Sequence, residues 1–253
     1  MALTVNTNVG ALNAASAASK TNRGLEVSMS RLASGKRINT GADDAAGVGI
    51  AVRLNANLKA TQQAVRNVAD GIAYATTAEG ALSEMANVLT RLKELYTQKA
   101  TGTLSSDDTA NISVEIAALT TALTTITTTS TWAGAAFADI TVTVDAAGTT
   151  QAITGSKVAA PTAGTLASVN TALTTIATSR ATLGSQINTL NHLANNLSNY
   201  EANLAASVGT IEDADFAAET TNLVKQQVLQ QAATAMLAQA NGQKQGVLQL
   251  LQG

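Results

Sequence analysis

Few side chains in this sequence of 253 residues are of the types that carry out catalysis. The single histidine, His192, is flanked by Asn191 and Asn195 on a predicted helix. A histidine between two amides on a helix is more commonly a solvated side chain than a general base. We therefore expect His192 to lie at an exposed or seam-edge position, and we predict no catalytic residue.

Two acidic pairs have the residue types of a metal site, since carboxylates are the ligands that hard cations prefer. They are Asp43 with Asp44, and Asp213 with Asp215. Helix capping explains both pairs without a metal: Asp43 is predicted to be the N-cap of a long helix, and residues 210–213 resemble another cap. Because no glycine-rich phosphate loop follows a predicted strand either, we predict neither a metal nor a cofactor.

The composition is typical of thin helical bundles rather than of an enzyme with a thick core. Aromatic residues make up 2% of the sequence, charged residues make up 13%, and the net charge is −2. This balance favours neither nucleic acid nor an anionic membrane as a partner. The absence of cysteine excludes zinc-finger, thioredoxin-like and cysteine-nucleophile proteins. The absence of cysteine fits either chance or a protein that must remain free of disulfide cross-links through export.

The sequence carries no pattern of a membrane anchor or of a Sec signal peptide. Residues 1–20 have no basic region followed by an apolar one. No run of about 18 apolar residues occurs, so we predict no membrane-spanning segment. The protein is expected either to stay in the cytosol or to leave the cell by a route that reads another signal.

Two long segments carry a heptad pattern, in which seam residues alternate at steps of three and four, and this pattern predicts two long helices packed as an antiparallel pair. At a rise of about 1.5 Å per residue, each helix would be roughly 60 Å long or more. The charged seam residues Glu79, Arg180 and Glu201 fit either ion pairing or surface exposure. The first seam is Leu54, Leu58, Thr61, Val65, Val68, Ile72, Ala75, Glu79, Leu82, Ala86, Leu89, Lys93 and Tyr96. The second is Leu166, Val169, Leu173, Ile176, Arg180, Leu183, Ile187, Leu190, Ala194, Leu197, Glu201, Leu204 and Val208.

A shorter helix and a β-hairpin are predicted between these two segments. Ser105 and Asp108 form a capping box, and the helix that follows carries apolar residues from Ile112 to Ile126. The β-branched run 124–131 disfavours continuation of this helix. Residues 139–154 alternate around a turn at 145–148, which predicts a hairpin packed on the helices.

The two ends of the chain carry apolar stripes that are too weak to form stable helices alone. Charges are sparse there: between residues 220 and 253 only Lys225 and Lys244 are charged. Such surfaces can be buried against copies of the chain with little desolvation of charge. The ends therefore predict a self-assembling helical subunit, whose predicted polymerisation residues are the larger apolar members of these stripes together with Leu251. The stripe residues are Val5, Val9 and Leu12, then Leu25, Met29 and Leu32, and finally Leu229, Ala233, Met236, Ala240, Gln243, Val247 and Leu250.

The predicted fold is mainly α: an elongated antiparallel helical bundle, or coiled-coil-like rod, with one small β-hairpin and paired N- and C-terminal helices. Residues 1–43 together with 210–253 are predicted to form a terminal-helix polymerisation domain. Residues 44–209 are predicted to form the helical rod, with the hairpin at about 139–154.

Six short motifs lie at the two ends of the chain: residues 1–8 (MALTVNTN), 32–39 (LASGKRIN), 43–47 (DDAAG), 211–219 (IEDADFAAE), 238–241 (AQAN) and 247–251 (VLQLL), the last ending at Leu251. These motifs resemble the signatures of bacterial flagellins. The resemblance covers roughly residues 1–125 and 165–253. It departs at Trp132-Ala133-Gly134, where flagellins usually have Phe-Asn-Gly, and at residues 40–42, where Ser-Ala-Lys is commoner. The large variable outer domains of longer flagellins have no counterpart.

The resemblance implies an extracellular structural protein, not an enzyme, that polymerises with itself into the flagellar filament. In this family the paired terminal helices line the inner tube and the longer helices form the outer tube. The family implies export by a flagellar type III pathway. It also implies a cytoplasmic chaperone on the C-terminal segment, a filament cap, and hook–filament junction proteins as partners.

The resemblance also implies a receptor contact. Flagellins recognised by the animal Toll-like flagellin receptor carry a run of the type found at residues 91–95 (RLKEL), with an acidic partner on the next helix. Here these residues are Arg91, Leu95 and Glu115, and the alternative is a solvated helix face. The Thr-rich stretches 120–131 and 171–178 fit either O-linked glycosylation or low-complexity helix surface.

Two other functions fit parts of the sequence. A hook–filament junction protein shares the N-terminal signature but usually lacks so close a C-terminal match. A helical membrane-active toxin would insert its terminal helices into lipid, but their Gln, Asn and Ser content disfavours insertion.

Overall fold

The structure is a computed structural model that describes residues 7–155 and 164–252, with the backbone alone for 244, 245 and 247–252. The described residues form helices and short antiparallel hairpins, which confirms the prediction of a mainly α fold. The helices are α1 (Val9–Ser34), α2 (Ala45–Lys99), α3 (Ser106–Thr129), α4 (Leu166–Glu212) and α5 (Phe216–Gln252). The strands are β1 (Thr131–Trp132), β2 (Ala135–Ala136), β3 (Ile140–Thr143) and β4 (Thr150–Ile153).

The chain divides into two compact units. One contains Met1–Asn55 and Ala205–Gly253, and the other contains Ala56–Leu204. None of the described helices combines the length and the hydropathy needed to cross a lipid bilayer.

Within the unit Ala56–Leu204, side-chain pairs show that α2 and α4 run antiparallel. The Arg180 guanidinium lies 2.7 Å from the Glu79 carboxylate, and Gln62 donates to Glu201 at 3.0 Å. As the residue number rises along α2, the partner's number falls along α4. Of the two alternatives for the charged seam residues, the structure therefore shows pairing for Glu79 and Arg180.

Of the two heptad series predicted to form the buried face of α2, the structure confirms one. The heptad series that contains Val68 and Leu89 is buried, but the second buried series lies one residue earlier than the sequence pattern indicated. The reason is that α2 packs against α3 and the hairpin as well as α4, so its buried face is wider than a two-helix seam. Lys93 is consequently exposed and Glu79 is half-buried. The observed second series is Ala64, Gly71, Ala78, Met85 and Leu92.

The seam of α4 follows the prediction closely. Every seventh residue from Val169 to Leu204 is a buried large aliphatic side chain, and Ala172 is buried beside this series. The positions between them, such as Leu173 and Ile187, are half-buried against the same core. The buried heptad residues are Val169, Ile176, Leu183, Leu190, Leu197 and Leu204.

Two capping predictions are wrong. The helix α2 begins at Ala45, so its N-cap is Asp44, which accepts a hydrogen bond from the Gly47 amide at 2.9 Å. Asp43 instead closes the preceding turn. At the start of α5, Asp215 accepts from the amides of the next turn at 2.9 and 3.1 Å, whereas the predicted cap at 210–213 lies within and just after the end of α4.

The capping box at the start of α3 is confirmed: the Asp108 amide donates to Ser105 Oγ, and the Asp108 carboxylate accepts from the Ser105 amide at 3.2 Å. The predicted break in the Thr-rich run is wrong, because α3 continues to Thr129. Hydroxyls along this run donate to carbonyls one turn earlier, as Thr125 does to Thr121 at 3.0 Å. Burial of Leu123 against the core offsets the low helix propensity of threonine.

The predicted hairpin is present as β3 and β4, with Ile140 opposite Ile153 and Val142 opposite Gln151. It packs directly on α2, where a Cβ added to Gly71 would lie 2.8 Å from Val142 Cγ2 and 3.3 Å from Ile153 Cδ1. Glycine at position 71 therefore permits the close approach of the hairpin.

A second hairpin, β1 and β2, was not predicted from the sequence. Its turn places Ala133 at φ 50° and Gly134 at φ 82°, and alanine is not a residue that signals a left-handed turn. Tyr74 anchors this region: its ring packs edge-on against Trp132 and Phe137, with centroids 5.6 and 5.2 Å away.

The Tyr74 hydroxyl closes a two-way hydrogen bond with the backbone of Ala138, donating to its carbonyl at 2.6 Å and accepting from its amide at 2.8 Å. We expect Tyr74→Phe to lower the free energy of unfolding by about 1–3 kcal/mol, since it leaves backbone groups without this partner. Urea denaturation followed by the fluorescence of Trp132 measures the change.

Tyr200→Phe is the matched control, because Tyr200 is exposed and its hydroxyl removal should change stability by less than about 0.5 kcal/mol. Equal midpoints for the two variants would contradict the role assigned to the Tyr74 hydroxyl.

Candidate functional site

The residues with potential for catalysis or metal binding are dispersed or serve as caps. His192 is exposed on α4. The Thr40 amide, which donates to the Asp43 carboxylate at 2.8 Å, lowers the pKa of this carboxyl below its ordinary value, with a further contribution from the Asn39 amide. Among the described residues, no three His, Asp or Glu side chains form a group that could hold a metal ion.

The most distinctive surface belongs to the paired helices α1 and α5. The helices are antiparallel: Asn8 donates to the Ala240 carbonyl at 3.0 Å, and further along, Gln230 donates to Asn22 at 2.8 Å. Their contacting faces alternate at steps of three and four, as in a coiled coil. The seam of α1 is Ala11, Ala14, Ala18, Thr21, Leu25, Ser28 and Leu32, and that of α5 is Glu219, Leu223, Gln226, Gln230, Ala233, Leu237 and Ala240.

Small and polar side chains occupy most of this seam. Thr21 and Ser28 are buried on α1, and Thr21 satisfies its hydroxyl by donating to the Ala17 carbonyl at 2.9 Å. Arg31 lies 3.6 Å from the Glu219 carboxylate, which is buried on α5. Such a seam fixes which residues meet, but it buries little apolar surface and so contributes little to stability.

The larger apolar side chains of the two helices are instead mostly exposed. Leu12 is 62% exposed, Met29 56% and Met236 65%. Leu25 and Leu32, which were predicted to belong to the same stripes, are half-buried in the α1·α5 seam. Other exposed members of the predicted set are Val9 and Leu229, and the structure adds Val27, Phe216, Val224 and Val228.

The exposure of four of the predicted polymerisation residues is not described. Val5 lies outside the described residues. Val247, Leu250 and Leu251 lie on the backbone of α5, outside the part whose side chains the structure describes.

An open groove of about 590 Å³ follows one side of the α1·α5 pair. Leu229 and Met236 of α5 line it, and Gly10, Asn13 and Ala17 of α1 face them. Since α1 contributes only short side chains, an apolar side chain of another molecule would find room there. The sequence pattern placed Leu229 and Met236 in a stripe for self-assembly, but it did not indicate the groove, because the groove depends on which small residues of α1 lie opposite them.

A set of hydrogen bonds fixes the end of α1 to the junction between α4 and α5. Gly35 ends α1 in the left-handed conformation, at φ 72°. Beyond it, Lys36 Nζ lies 2.7 Å from the Glu212 carboxylate, and the Arg37 amide donates to the Glu212 carbonyl at 2.6 Å. Glu212 thus binds the chain segment after α1 through both its side chain and its backbone, a role that no sequence pattern indicated.

The residues predicted to contact a receptor lie in the unit Ala56–Leu204. Arg91 on α2 donates to Glu115 of α3 at 2.9 Å and to Glu94 at 3.0 Å. Both bonds raise the pKa of Arg91 above its ordinary value, and the bond to Glu115 has the larger effect. All three side chains are exposed, whereas Leu95 is 2% exposed and supports this surface from the core.

Two family models match most of the chain. The model of the bacterial flagellin N-terminal helical region matches residues 5–143. The model of the bacterial flagellin C-terminal helical region matches residues 166–251.

Curated flagellins are similar to this chain over different lengths. The B-type flagellin of Pseudomonas aeruginosa is 43% identical over 134 residues, which cover 53% of this chain and 28% of the relative. The flagellins of Listeria monocytogenes and Bacillus subtilis are 30% and 34% identical, over 98% of this chain and 99% of each relative. The matched region therefore spans less than a third of the first relative and nearly all of the other two. The chain belongs to the bacterial flagellin family.

Proposed function

We propose that this chain is the repeating structural subunit of a bacterial flagellar filament, without catalytic activity, and that copies join through α1 and α5. The observation that carries the proposal is the arrangement of these helices: their seam buries mainly small and polar residues, while large apolar residues such as Leu12 and Met236 remain exposed. Fully burying one such side chain contributes about 1.5–3 kcal/mol.

The charge distribution supports the same surface. Along the last 34 residues, from Thr220 to Gly253, the sequence has no acidic residue, and Lys225 and Lys244 are its only charges. Copies can therefore bury this helix without removing many charges from water, which would cost several kcal/mol per unpaired ion. Groups such as Gln and Asn remain available for hydrogen bonds to a neighbouring copy.

We further propose that residues 1–43 and 210–253 form the polymerisation domain and that residues 44–209 form the body of the subunit. The division of contacts into two units, with α1 and α5 in the same one, supports this assignment.

The filament role extends to location and partners. An extracellular filament subunit of this family would be exported by the flagellar type III pathway, held before export by a chaperone on its C-terminal segment. It would then meet the filament cap and the hook–filament junction proteins. Family membership supports these partners, with α5 as the segment that the chaperone would hold.

We expect Val228→Asp to raise the monomer concentration needed for filament growth at least about tenfold. Val228 is exposed on α5, so the variant should fold, but its carboxylate would lose water against a neighbouring copy. Sedimentation of filaments grown from filament fragments measures this concentration, and circular dichroism monitors the fold.

Thr174→Asp on the exposed face of α4 is the matched control, since it places the same charge mid-helix outside the paired helices. If Val228→Asp polymerised at the wild-type concentration, copies would not join through this face of α5.

A second proposal is recognition of the monomer by the animal Toll-like flagellin receptor through Arg91 and Glu115. The exposed Arg91–Glu115 pair supports it, because it presents charges from two helices on one surface. Leu95 is buried and would hold that surface in shape.

We expect Arg91→Ala to reduce receptor signalling by monomer at least about tenfold, as loss of a charge-assisted hydrogen bond costs roughly 1.5–3 kcal/mol. Receptor-reporter cells measure the response. Arg66→Ala removes another exposed arginine of α2, one bonded to Gln63 of the same helix, and should signal like the wild type. No signal from wild-type monomer, alongside a response to a known agonist, would refute the proposal.

A further inference from the structure

We propose that Met236 is an oxidation site whose conversion to methionine sulfoxide blocks the addition of subunits to a filament. The inference rests on the proposed function and names a means of regulating its surface. It concerns a chemical modification of one thioether by a peroxide.

The geometry makes Met236 both accessible and central to the assembly surface. Its side chain is 65% exposed on α5. It lines the 590 Å³ groove together with Leu229, facing the short side chains of Asn13 and Ala17 on α1. A small oxidant can therefore reach the sulfur in the monomer, whereas a neighbouring copy seated in the groove would cover it.

The chain contains its own comparison sites. Of its four methionines, Met1 lies outside the described residues, and Met85 is 0% exposed in the core of the unit Ala56–Leu204. Met29 is 56% exposed on α1, but it is not among the residues that line the groove. Folded monomer should thus be oxidised at Met236 and Met29 and protected at Met85.

The reaction balances without any group from the protein. The sulfur of Met236 attacks one oxygen of hydrogen peroxide, the O–O bond breaks as the S–O bond forms, and a proton shift releases water. The sulfur loses two electrons and the peroxide gains them. The product is a polar, chiral side chain, and methionine sulfoxide reductases can return it to the thioether.

The sulfoxide opposes assembly because the groove around it is mainly apolar. On the α5 side, Leu229, Ala232, Ala233 and Ala240 cannot donate a hydrogen bond, whereas the side-chain amides of Gln239 and Gln243 can. In the monomer, water solvates the sulfoxide oxygen. Covering it with another copy would remove that water and leave only a few side-chain donors in the groove, which is unfavourable relative to full solvation.

The test uses full-length monomer treated with hydrogen peroxide, then separated from it, and added to filament fragments of untreated protein. Peptide mass spectrometry gives the extent of oxidation at each methionine, and light scattering gives the elongation rate. Met236→Leu and Met29→Leu are treated in the same way. A portion of oxidised protein is incubated with both stereospecific sulfoxide reductases before elongation is measured again.

We expect oxidised wild type and oxidised Met29→Leu to elongate at least about tenfold more slowly than untreated protein. Oxidised Met236→Leu, which retains Met29, should elongate at least about tenfold faster than oxidised wild type, and the reductases should restore the wild type. Met85 should remain unoxidised, which shows that the fold was intact.

Two results overturn different statements. If untreated wild type does not elongate the fragments, the proposed function fails and the inference fails with it. If untreated protein elongates, the inference alone is overturned when wild type oxidised at Met236 grows at the untreated rate. Growth of oxidised Met236→Leu as slow as that of oxidised wild type also overturns it, because the effect would then arise at another residue such as Met29.

Discussion

The close pairing of α1 with α5 is the contact on which the terminal unit depends. Side chains as small as Ala14 and Ala233 lie buried between the helices. The seam residues therefore allow the helices to pack closely, but they bury too little apolar surface to drive folding. The larger apolar residues are left outside the seam for the same reason. A pair built in this way gains little stability from its own seam, which supports our proposal that another copy covers it.

The helices α2 and α4 of the unit Ala56–Leu204 have seams with the same three–four spacing, but the residues in these seams are larger. Their seam positions hold Leu89, Leu183 and Leu190, all with no exposed surface. Burial of such side chains stabilises this unit through its own core. The two helix pairs therefore share one periodicity but differ in the size of their seam residues. Large residues make an apolar core in one pair, and small ones leave the larger apolar residues of the other pair exposed, which supports the proposal that they meet a neighbouring copy.

The pattern of α4 could be read from the sequence because its buried heptad residues are all large and aliphatic. The seam between α1 and α5 could not be predicted in the same way, because it holds polar residues such as Gln230 beside Leu237, and no run of large apolar residues marks it. The same preference for apolar side chains hid the buried Thr21 and Ser28. Local rules also cannot choose between adjacent caps such as Asp43 and Asp44, since the choice depends on where packing starts the helix.

Specificity of assembly then needs a source other than charge, because α5 has so few ionised groups. The polar residues of the seam supply it within the subunit: the Asn22–Gln230 bond and the Arg31–Glu219 contact each fix the register of α1 against α5. Register in turn decides which small residues of α1 lie opposite Leu229 and Met236, and so decides the shape of the groove. A slip of one heptad would keep the spacing but separate these polar partners, leaving Glu219 buried without its arginine. The polar seam therefore lowers the stability of the pair while defining the groove that we propose a neighbouring copy fits.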